Sequence, residues 1–386
     1  MKIAKHLEQL PPSYIREILS DATAEGVISL AGGLPSPDHF PMALMSEALQ
    51  SLATQPALFQ YGETAGYPPL LDYCRRAYQL SDLHQGLVCA GSQQGLDLIA
   101  RTFLNAGDGV ALESPSYLGA LQVFGIAQAR IETVKQTPSG PDLNQLEAVL
   151  SQGGITLFYA VPDFHNPTGI CWSLETRKAV AALCQRYGVI LVEDAPYREL
   201  RFSGEALPMA SSFCPEHSLV LRSFSKIATP GMRLGLLTGP NTWLESITLV
   251  KQAADLHSTL PMQAVLLSLL SSDGFEKHLQ SLCDLYGARY KHLSHCLHQQ
   301  LGDDCEFDAV EGGMFIWLKV PGGDPMDIAK KALRKGVAVV PSKVFYAPRN
   351  IEEGCYESAL RLNFSHACHD DLATAVERLK AVFVLP

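Results

Sequence analysis

The sequence has no long apolar segment. Its apolar stretches, such as residues 265–270, are far shorter than the roughly 20 residues that a membrane-spanning helix needs. Residues 1–8 mix charged side chains with isolated apolar ones and lack the apolar core of a signal peptide. We therefore expect a soluble, cytoplasmic protein that does not contact the membrane.

Positive charge is also scarce. The chain has 30 Lys and Arg against 40 Asp and Glu, a net charge of −10, and no run of basic residues. Such a chain repels nucleic acid, which we do not expect as a partner. Charged residues make up only 18% and hydrophobic residues 47%, enough to bury a large core and to exclude global disorder. At about 150 residues per domain, the length predicts two or three domains.

Paired cysteines are missing as well. The ten cysteines are scattered without a CxxC pair, which predicts reduced, mostly buried thiols. His366, Cys368 and His369, followed by Asp370 and Asp371, could bind a metal. The alternative, which we favour, is a polar loop at the start of the last helix, so that no metal site is expected.

The middle of the chain alternates strand-like and helical patterns, which predicts parallel βαβ units. One unit is complete. A strand over residues 156–161 and a loop over 162–169, rich in helix breakers, precede a helix that begins at Ser173 and ends at Gly188. The apolar strand 189–192 follows.

Two acids, Glu193 and Asp194, end that strand. They are expected at the carboxyl edge of the sheet, where open α/β folds bind ligands. A further helix is predicted from Asp142, because Asp142 and Gln145 have the spacing of a capping box. Beyond about residue 275 the pattern changes to a long helix followed by short alternating elements, which indicates a smaller α+β domain.

Lys226 has a chemically suggestive setting. It follows the apolar strand 218–221, Ser223 and Ser225 flank it, and Arg233 comes seven residues later. A lysine can form a Schiff base with a carbonyl, and hydroxyls with an arginine suit a phosphate, so the group together suggests pyridoxal phosphate. On this segment alone, a solvated lysine is the favoured alternative.

Other segments supply the remaining contacts for that cofactor. Asp194 offers a carboxylate for a pyridinium nitrogen, and Tyr197 and Asn166 offer hydrogen bonds to the ring oxygen. Gly91 and Ser92 precede an apolar helix, whose N-terminal N–H groups would bind a phosphate. Each segment is a weak signal by itself, whereas their order and spacing are specific.

These motifs resemble the fold-type I pyridoxal phosphate-dependent aminotransferases of class I/II. The resemblance is closest to the bacterial 2-aminoadipate, aromatic and branched-chain aminotransferases, and it covers nearly the whole chain. The motifs that carry it are AGGLP (31–35), QYG (60–62), GSQQGLD (91–97), ESPSY (113–117), NPTG (166–169), DAPYREL (194–200), SFSK (223–226), ADLH (254–257), GGMF (312–315) and LRL (360–362).

The resemblance implies an α/β fold of two domains. Residues 36–275 would form the large cofactor-binding domain around a mostly parallel central sheet, and residues 276–386 a smaller α+β domain. Residues 1–35 would form an N-terminal arm that contributes to the small domain and to the active site.

The resemblance also implies a role for each cofactor-binding residue. Lys226 would hold the cofactor covalently and shuttle a proton at the substrate Cα, while Asp194 keeps the pyridine nitrogen protonated. Asn166 and Tyr197 would bond the ring oxygen, and Tyr117 would stack on the ring; an ordinary aromatic residue beside a strand is the alternative for Tyr117. The phosphate would be held by Ser92, Gln93, Ser223, Ser225, Arg233 and, from the neighbouring subunit of a homodimer, Tyr61.

For the substrate, the resemblance implies that Arg361 binds the α-carboxylate, with a surface ion pair as the alternative. Gly33 would let the backbone approach the substrate. Arg16 stands where the 2-aminoadipate branch has an arginine for a distal carboxylate, but it fits an ion pair on a solvated helix equally well. His165 and Lys343 depart from the branch's usual pattern, so the side-chain specificity stays open.

The function expected from these motifs is a transaminase that moves an α-amino group between an amino acid and a 2-oxo acid such as 2-oxoglutarate. It would work in two half-reactions, with the cofactor alternating between its aldehyde and amine forms. A lyase or decarboxylase on the same scaffold is one alternative. A non-catalytic effector-binding module is the other, although no basic DNA-binding domain precedes the motifs.

Overall fold

The computed structural model describes residues 3–4, 7, 24–302 and 305–383. Thirteen strands lie in these ranges: β1 Ile28–Ser29, β2 His84–Cys89, β3 Gly109–Ser114, β4 Arg130–Thr137, β5 Gly140–Pro141, β6 Ile155–Ala160, β7 Ile190–Asp194, β8 Ser218–Ser223, β9 Gly235–Pro240, β10 Phe315–Lys319, β11 Val337–Ala338, β12 Val340–Pro341 and β13 Ala359–Asn363.

The α-helices within the same ranges are interspersed among these strands. They are α1 Met42–Leu52, α2 Pro68–Ala77, α3 Ser92–Phe103, α4 Leu118–Ile126, α5 Leu143–Ser151, α6 Leu174–Tyr187, α7 Asn241–Asp255, α8 Leu260–Leu270, α9 Asp273–Leu301, α10 Pro325–Arg334, α11 Pro348–Glu352 and α12 His369–Phe383. None of the described helices is long and apolar enough to cross a membrane.

The central sheet has eight strands in the order β2-β9-β8-β7-β6-β3-β4-β5. The pairs from β8 to β4 are parallel, while β9 and β5 pair antiparallel with their neighbours. This confirms the expected α/β class with a mostly parallel sheet. A three-stranded antiparallel sheet, β10-β13-β12, and a parallel pair, β1-β11, form from the later part of the chain and from residues 28–29.

Helices cover both faces of the central sheet because side chains of its strands alternate in direction. Leu157 and Tyr159 of β6 pack in the core under α3, α4 and α7. Phe158 and Ala160 point the other way, into the core under α5 and α6. Both faces are therefore closed, and ligands can approach the sheet only at its strand ends.

The predicted βαβ unit is confirmed almost residue for residue. The Ser173 hydroxyl caps α6 by accepting the Thr176 N–H, and Gly188 ends the helix in the left-handed conformation with φ 65°. Strand β7 runs through Asp194 itself, so Glu193 and Asp194 are its last two residues. The acids stand at the carboxyl edge of the sheet, as expected.

The capping box at α5 forms only in half. Asp142 accepts the N–H groups of Asn144 and Gln145, as its position predicts. The Gln145 side chain does not reach back to Asp142, because its Oε1 accepts the N–H of Lys135 at 2.6 Å. The spacing of Asp142 and Gln145 thus identified the start of the helix. The Gln145 side chain, however, binds the backbone of β4 instead of completing the capping box.

The ten cysteines and the polar residues 366–371 all lie within the described ranges. Seven of the ten cysteines are buried, which confirms the expected burial of the thiols. Helix α12 begins at His369, with Asp370 and Asp371 in its first turn, as the polar-loop alternative predicts. Within the described ranges, no group of three or more His, Cys, Asp or Glu side chains could hold a metal ion.

Candidate active site

A cavity of about 270 Å³ opens at the carboxyl edge of the parallel strands. Residues that follow β2, β3, β6, β7 and β8 form its floor, and residues from the loop after β1 and from β13 close it from the other side. The lining residues are Gly32, Gly33, Leu34, Gly91, Ser92, Gln93, Tyr117, Tyr159, Val161, Asn166, Asp194, Pro196, Tyr197, Ser223, Ser225, Lys226, Arg233 and Arg361.

The cavity brings together every predicted site residue except Tyr61 and Arg16. Tyr61 is 79% exposed and lines a separate depression of about 650 Å³, where its ring meets that of His257 at a centroid distance of 5.9 Å. Arg16 lies outside the described residues. The expectation that Tyr61 serves a second subunit stays a prediction.

Lys226 enters the cavity from the turn after β8, and its Nζ donates to the Gly33 carbonyl at 2.8 Å. Burial, together with the positive charges of Arg361 and Arg233, lowers the pKa of Lys226 to about 8. The amine therefore loses its proton more easily than a solvated lysine does. This is the requirement for attack on a carbonyl, and Lys226 lies in the cavity instead of extending into open solvent.

Asp194 presents an unsatisfied carboxylate oxygen. Its Oδ2 accepts from the Tyr159 hydroxyl at 2.8 Å, whereas its Oδ1 is buried without a hydrogen-bond partner. Burial raises the pKa of Asp194 to about 7, and the Tyr159 hydrogen bond opposes that shift. A cationic donor placed against Oδ1 would restore the ionised form, and the protonated nitrogen of a pyridine ring is such a donor.

Asn166, Tyr197 and Arg361 form a hydrogen-bonded chain across the cavity. Asn166 Nδ2 donates to the Tyr197 hydroxyl at 3.3 Å, and Arg361 Nη1 donates to Asn166 Oδ1 at 2.8 Å. Burial is the main reason why the pKa of Tyr197 lies well above its usual value, so the phenol keeps its proton. Both Asn166 and Tyr197 can therefore act as hydrogen-bond donors towards a ligand oxygen.

Arg361 is a buried cation whose partners are neutral oxygens. It is 3% exposed, donates to Asn166 Oδ1 and to the Ala31 carbonyl, and leaves its Nε without a partner. Its guanidinium stacks 4.3 Å from the centre of the Phe315 ring. Burial lowers the pKa of Arg361 to about 10, which is the cost of holding this charge without a carboxylate. The surface ion pair considered for Arg361 is thus wrong.

The phosphate end of the cavity combines a helix N-terminus with an arginine. Gly91 precedes α3 with φ 85°, and a Cβ there would lie 2.8 Å from Arg233 Nη2, so only glycine fits. No described side chain caps α3. Ser92, Ser223, Ser225 and Arg233 all line the cavity, and their hydroxyls and guanidinium, with the first N–H groups of α3, are groups that bind an anion.

Tyr117 is held in place at the side of the cavity. Its hydroxyl donates to Gln93 Oε1 at 3.1 Å, and Gln93 in turn donates to the Gly119 carbonyl at 3.2 Å. The contact gives Gln93 a role in orienting the aromatic ring in addition to its place at the helix N-terminus. The stacking role of Tyr117 stays a prediction.

The residues present fit pyridoxal phosphate. A lysine of lowered pKa, an unpaired buried carboxylate oxygen, two donors for a ring oxygen and an anion corner all open into a single cavity. Sequence reasoning did not single out Tyr159, although it lies in the predicted strand 156–161, and gave no role to Phe315, although it ends the GGMF motif. The contact of Tyr159 with Asp194 and that of Phe315 with Arg361 both depend on pairing between distant segments.

His165 and Lys343 are absent from the cavity lining within the described chain. His165 Nδ1 bonds the Thr168 hydroxyl at 3.0 Å, and its Nε2 lies 3.9 Å from Glu113 Oε2. Burial raises the pKa of Glu113 to about 7 and lowers that of His165 to about 3. Lys343 pairs with Asp324 at 2.7 Å instead. His165 therefore has no direct contact with the cavity.

Comparison with known proteins agrees with this site. The family model of the aminotransferases of class I and II matches residues 25–379. The aromatic-amino-acid aminotransferase 1 of Thermococcus litoralis is 32% identical over 381 residues, which are 95% of this chain and 90% of that protein.

Two solved structures are similar over nearly their whole length. The kynurenine aminotransferase of Pyrococcus horikoshii, in complex with PMP, has a TM-score of 0.93 and 32% identity, and covers 99% of this chain and 96% of its own. LysN, the α-aminoadipate aminotransferase of Thermus thermophilus, is complexed with N-(5'-phosphopyridoxyl)-L-leucine. Its TM-score is 0.91 and its identity 33%, with 99% and 97% of the two chains covered.

Proposed function

The chain belongs to the class I and II aminotransferases and is a pyridoxal phosphate-dependent transaminase, and on this basis we propose that it uses 2-oxoglutarate as amino acceptor in a ping-pong reaction. The observation that carries the assignment of the site is one cavity that holds Lys226, the unpaired Oδ1 of Asp194 and the carboxylate-free Arg361. Asp194 Oδ1 and Arg361 Nε are buried without a hydrogen-bond partner, and Lys226 and Arg361 have no carboxylate partner among the described residues, so the cavity suits a charged ligand.

The residues divide into those that hold the cofactor and those that act on the substrate. When bound, pyridoxal phosphate supplies an electron sink that lets the Cα–H bond of an amino acid break. Asp194 holds the positive charge at the ring nitrogen, and Asn166 and Tyr197 donate to the ring oxygen. Ser92, Gln93, Ser223, Ser225 and Arg233 bind the phosphate, and Tyr117 stacks on the ring.

Lys226 and Arg361 act on the amino acid. With the cofactor bound, the neutral Nζ of Lys226 would take the proton from the substrate Cα and would return it at the cofactor C4′, on the other side of the amino nitrogen. Arg361 fixes the α-carboxylate with two parallel hydrogen bonds, which orients the Cα–H bond towards Lys226. Gly33 leaves room for the substrate, and its carbonyl holds Lys226 at 2.8 Å.

The half-reactions can be observed separately. Purified protein loaded with pyridoxal phosphate should change its visible absorbance when a suitable amino acid is added without any 2-oxo acid. Adding 2-oxoglutarate afterwards should restore the first spectrum and release glutamate. A lyase would consume the amino acid with no need for an acceptor, and that result would contradict the proposal.

Replacing Arg361 with methionine should weaken binding of the α-carboxylate. We expect KM for amino acids to rise about hundredfold, because a buried bidentate contact is lost. Half-reaction rates with 2-phenylethylamine, which lacks the carboxylate, should stay within about twofold of wild type and serve as the control. Equal losses for phenylalanine and the amine would assign Arg361 a structural role.

The residues that line the cavity also bear on the choice of substrate. The charged residues in its described lining are Asp194, Lys226, Arg233 and Arg361, all engaged by the proposed assignments. Leu34, next to Gly33, offers an apolar surface, which suits the aromatic substrates named for two of the relatives. A second carboxylate, as in 2-aminoadipate, would need a cation from outside this set, and Arg16 is the candidate.

The Arg16→Ala variant separates these two substrate classes. If Arg16 binds a distal carboxylate, kcat/KM for 2-aminoadipate and glutamate should fall about tenfold, the value of one charge-assisted contact. Phenylalanine and leucine should be unaffected. Equal loss for acidic and neutral donors would remove Arg16 from the specificity site.

We also propose the homodimer with shared active sites. Support comes from the exposed Tyr61, with Phe59 66% and Leu256 40% exposed as further large apolar side chains. Tyr61 would reach the phosphate bound by the partner subunit. A cytoplasmic location and the absence of nucleic acid partners are part of the same proposal, and the net charge of −10 supports the latter.

A further inference from the structure

A fully buried lysine lies behind the phosphate corner. Lys251, on α7, is 0% exposed, and its three N–H donors have partners from three segments. It donates to both carboxylate oxygens of Asp255 at 2.8 and 2.9 Å, to the Ser258 hydroxyl at 3.2 Å and to Gln94 Oε1 at 3.3 Å. A buried ammonium this completely paired is costly to desolvate, and no role proposed above uses it.

Gln94 connects this ion pair to the turn that binds phosphate. Its Oε1 accepts the Ala90 N–H at 2.7 Å, and its Nε2 donates to Asp255 Oδ2 at 2.6 Å. Lys251 and Asp255 thus act on opposite ends of the Gln94 amide, and their opposite charges permit only one orientation of it. A neutral environment would allow the amide to flip and would release the Ala90 N–H.

The backbone of Ala90 in turn holds Arg233. Its carbonyl accepts from Arg233 Nη2 at 3.2 Å, while its N–H is held by Gln94. Gly91, the next residue, begins the turn into α3. The other side of the turn is anchored as well, because the Ser258 hydroxyl that accepts from Lys251 donates to the Val88 carbonyl at 3.3 Å.

We propose that Lys251 and Asp255 are positioning residues for the cofactor phosphate, acting through Gln94 and the backbone of Ala90 on Arg233 and on the N-terminus of α3. Neither residue lines the cavity, so neither touches the cofactor or the substrate. The proposal rests on the proposed function, which places the phosphate at Ser92 and Arg233. The new element is the Lys251–Asp255 pair, which fixes the positions of Ser92 and Arg233.

The test compares two ligands that differ only in the phosphate. Dissociation constants of pyridoxal phosphate and of pyridoxal are measured by absorbance titration of cofactor-free protein. For Lys251→Met, which has similar length and no charge, the constant for pyridoxal phosphate should rise about tenfold, the size of one lost charge-assisted contact. The constant for pyridoxal should not change, because Lys226 and Asp194 are untouched.

Two further variants make the result decisive. Gln94→Leu leaves the Lys251–Asp255 pair intact, so it should show the same selective loss and decides the question if Lys251→Met does not fold. Ile247→Ala, one turn earlier on α7 and fully buried, removes core packing without touching the turn and should leave both constants unchanged.

The outcomes also separate this proposal from the assignment of the site. If wild type prefers pyridoxal phosphate to pyridoxal and the variants retain that preference, the positioning role is overturned. The assignment of the phosphate corner would still stand. Equal loss for both ligands in Lys251→Met and Gln94→Leu would likewise overturn it, in favour of a general structural role. Wild type with no preference for the phosphate form would overturn the phosphate corner itself.

Discussion

Replacing Lys226 with alanine is expected to abolish turnover, together with the visible absorbance that pyridoxal phosphate acquires on bonding to the lysine. The variant loses both the covalent partner of the cofactor and the base at Cα, and the cavity holds no second lysine in its described lining. We expect kcat to fall at least about 10⁴-fold, since two catalytic roles are lost at once. Absorbance spectra and initial rates measure the two effects.

The control is a lysine outside the cavity. Lys319→Ala removes a partly exposed lysine that pairs with Glu357 at 3.2 Å, and it should keep both the absorbance and the rate. A Lys226→Ala protein that retained either property would refute the assignment of the lysine. Pyridoxal phosphate should still bind the variant non-covalently, because the phosphate corner and Asp194 remain.

Replacing Asp194 with asparagine is the second large change. Asparagine keeps the size of the side chain and the contact with Tyr159, but it carries no negative charge to hold a proton on the ring nitrogen. We expect kcat to fall about 10³-fold, as for other buried groups that stabilise developing charge. The loss should appear at the Cα–H step, with a deuterium isotope effect at Cα larger than in wild type.

The Tyr159→Phe variant is the matched control for Asp194. It removes the 2.8 Å hydrogen bond to Oδ2 and leaves the carboxylate charge, so kcat should fall by about tenfold at most. Rates for Asp194→Asn within about threefold of wild type would show that the carboxylate charge does not support the chemistry. Comparable losses in the two variants would assign the effect to orientation instead of charge.

Local patterns predicted the elements that carry the site. The cap at Ser173, the stop at Gly188 and the acids at the end of β7 depend on residues close together in sequence, where hydrogen-bonding and burial rules apply directly. The half-formed capping box shows the limit of these rules. The Gln145 side chain accepts the N–H of Lys135 on β4 instead, and no pattern near Gln145 in the sequence indicates that this strand lies beside it.

Long-range contacts account for what the sequence did not predict. Tyr159 bonds Asp194 because β6 and β7 pair in one particular register, and that register is set by the whole sheet. Arg361 reaches Asn166 and Ala31 only after β13 is placed over the large sheet. The burial of Lys251 could not be predicted either, because charged residues are usually exposed and the partners of Lys251 come from separate segments.

The most direct measurement maps the cofactor onto the chain. Protein loaded with pyridoxal phosphate is reduced with borohydride, digested and analysed by mass spectrometry, with and without prior incubation with an amino donor. A single phosphopyridoxyl group on Lys226 is expected without the donor, and its loss is expected with the donor, because the amine form of the cofactor is no longer bonded to the lysine. A phosphopyridoxyl group on another lysine, or one on Lys226 that no amino acid diminishes, would contradict an aminotransferase site built on Lys226.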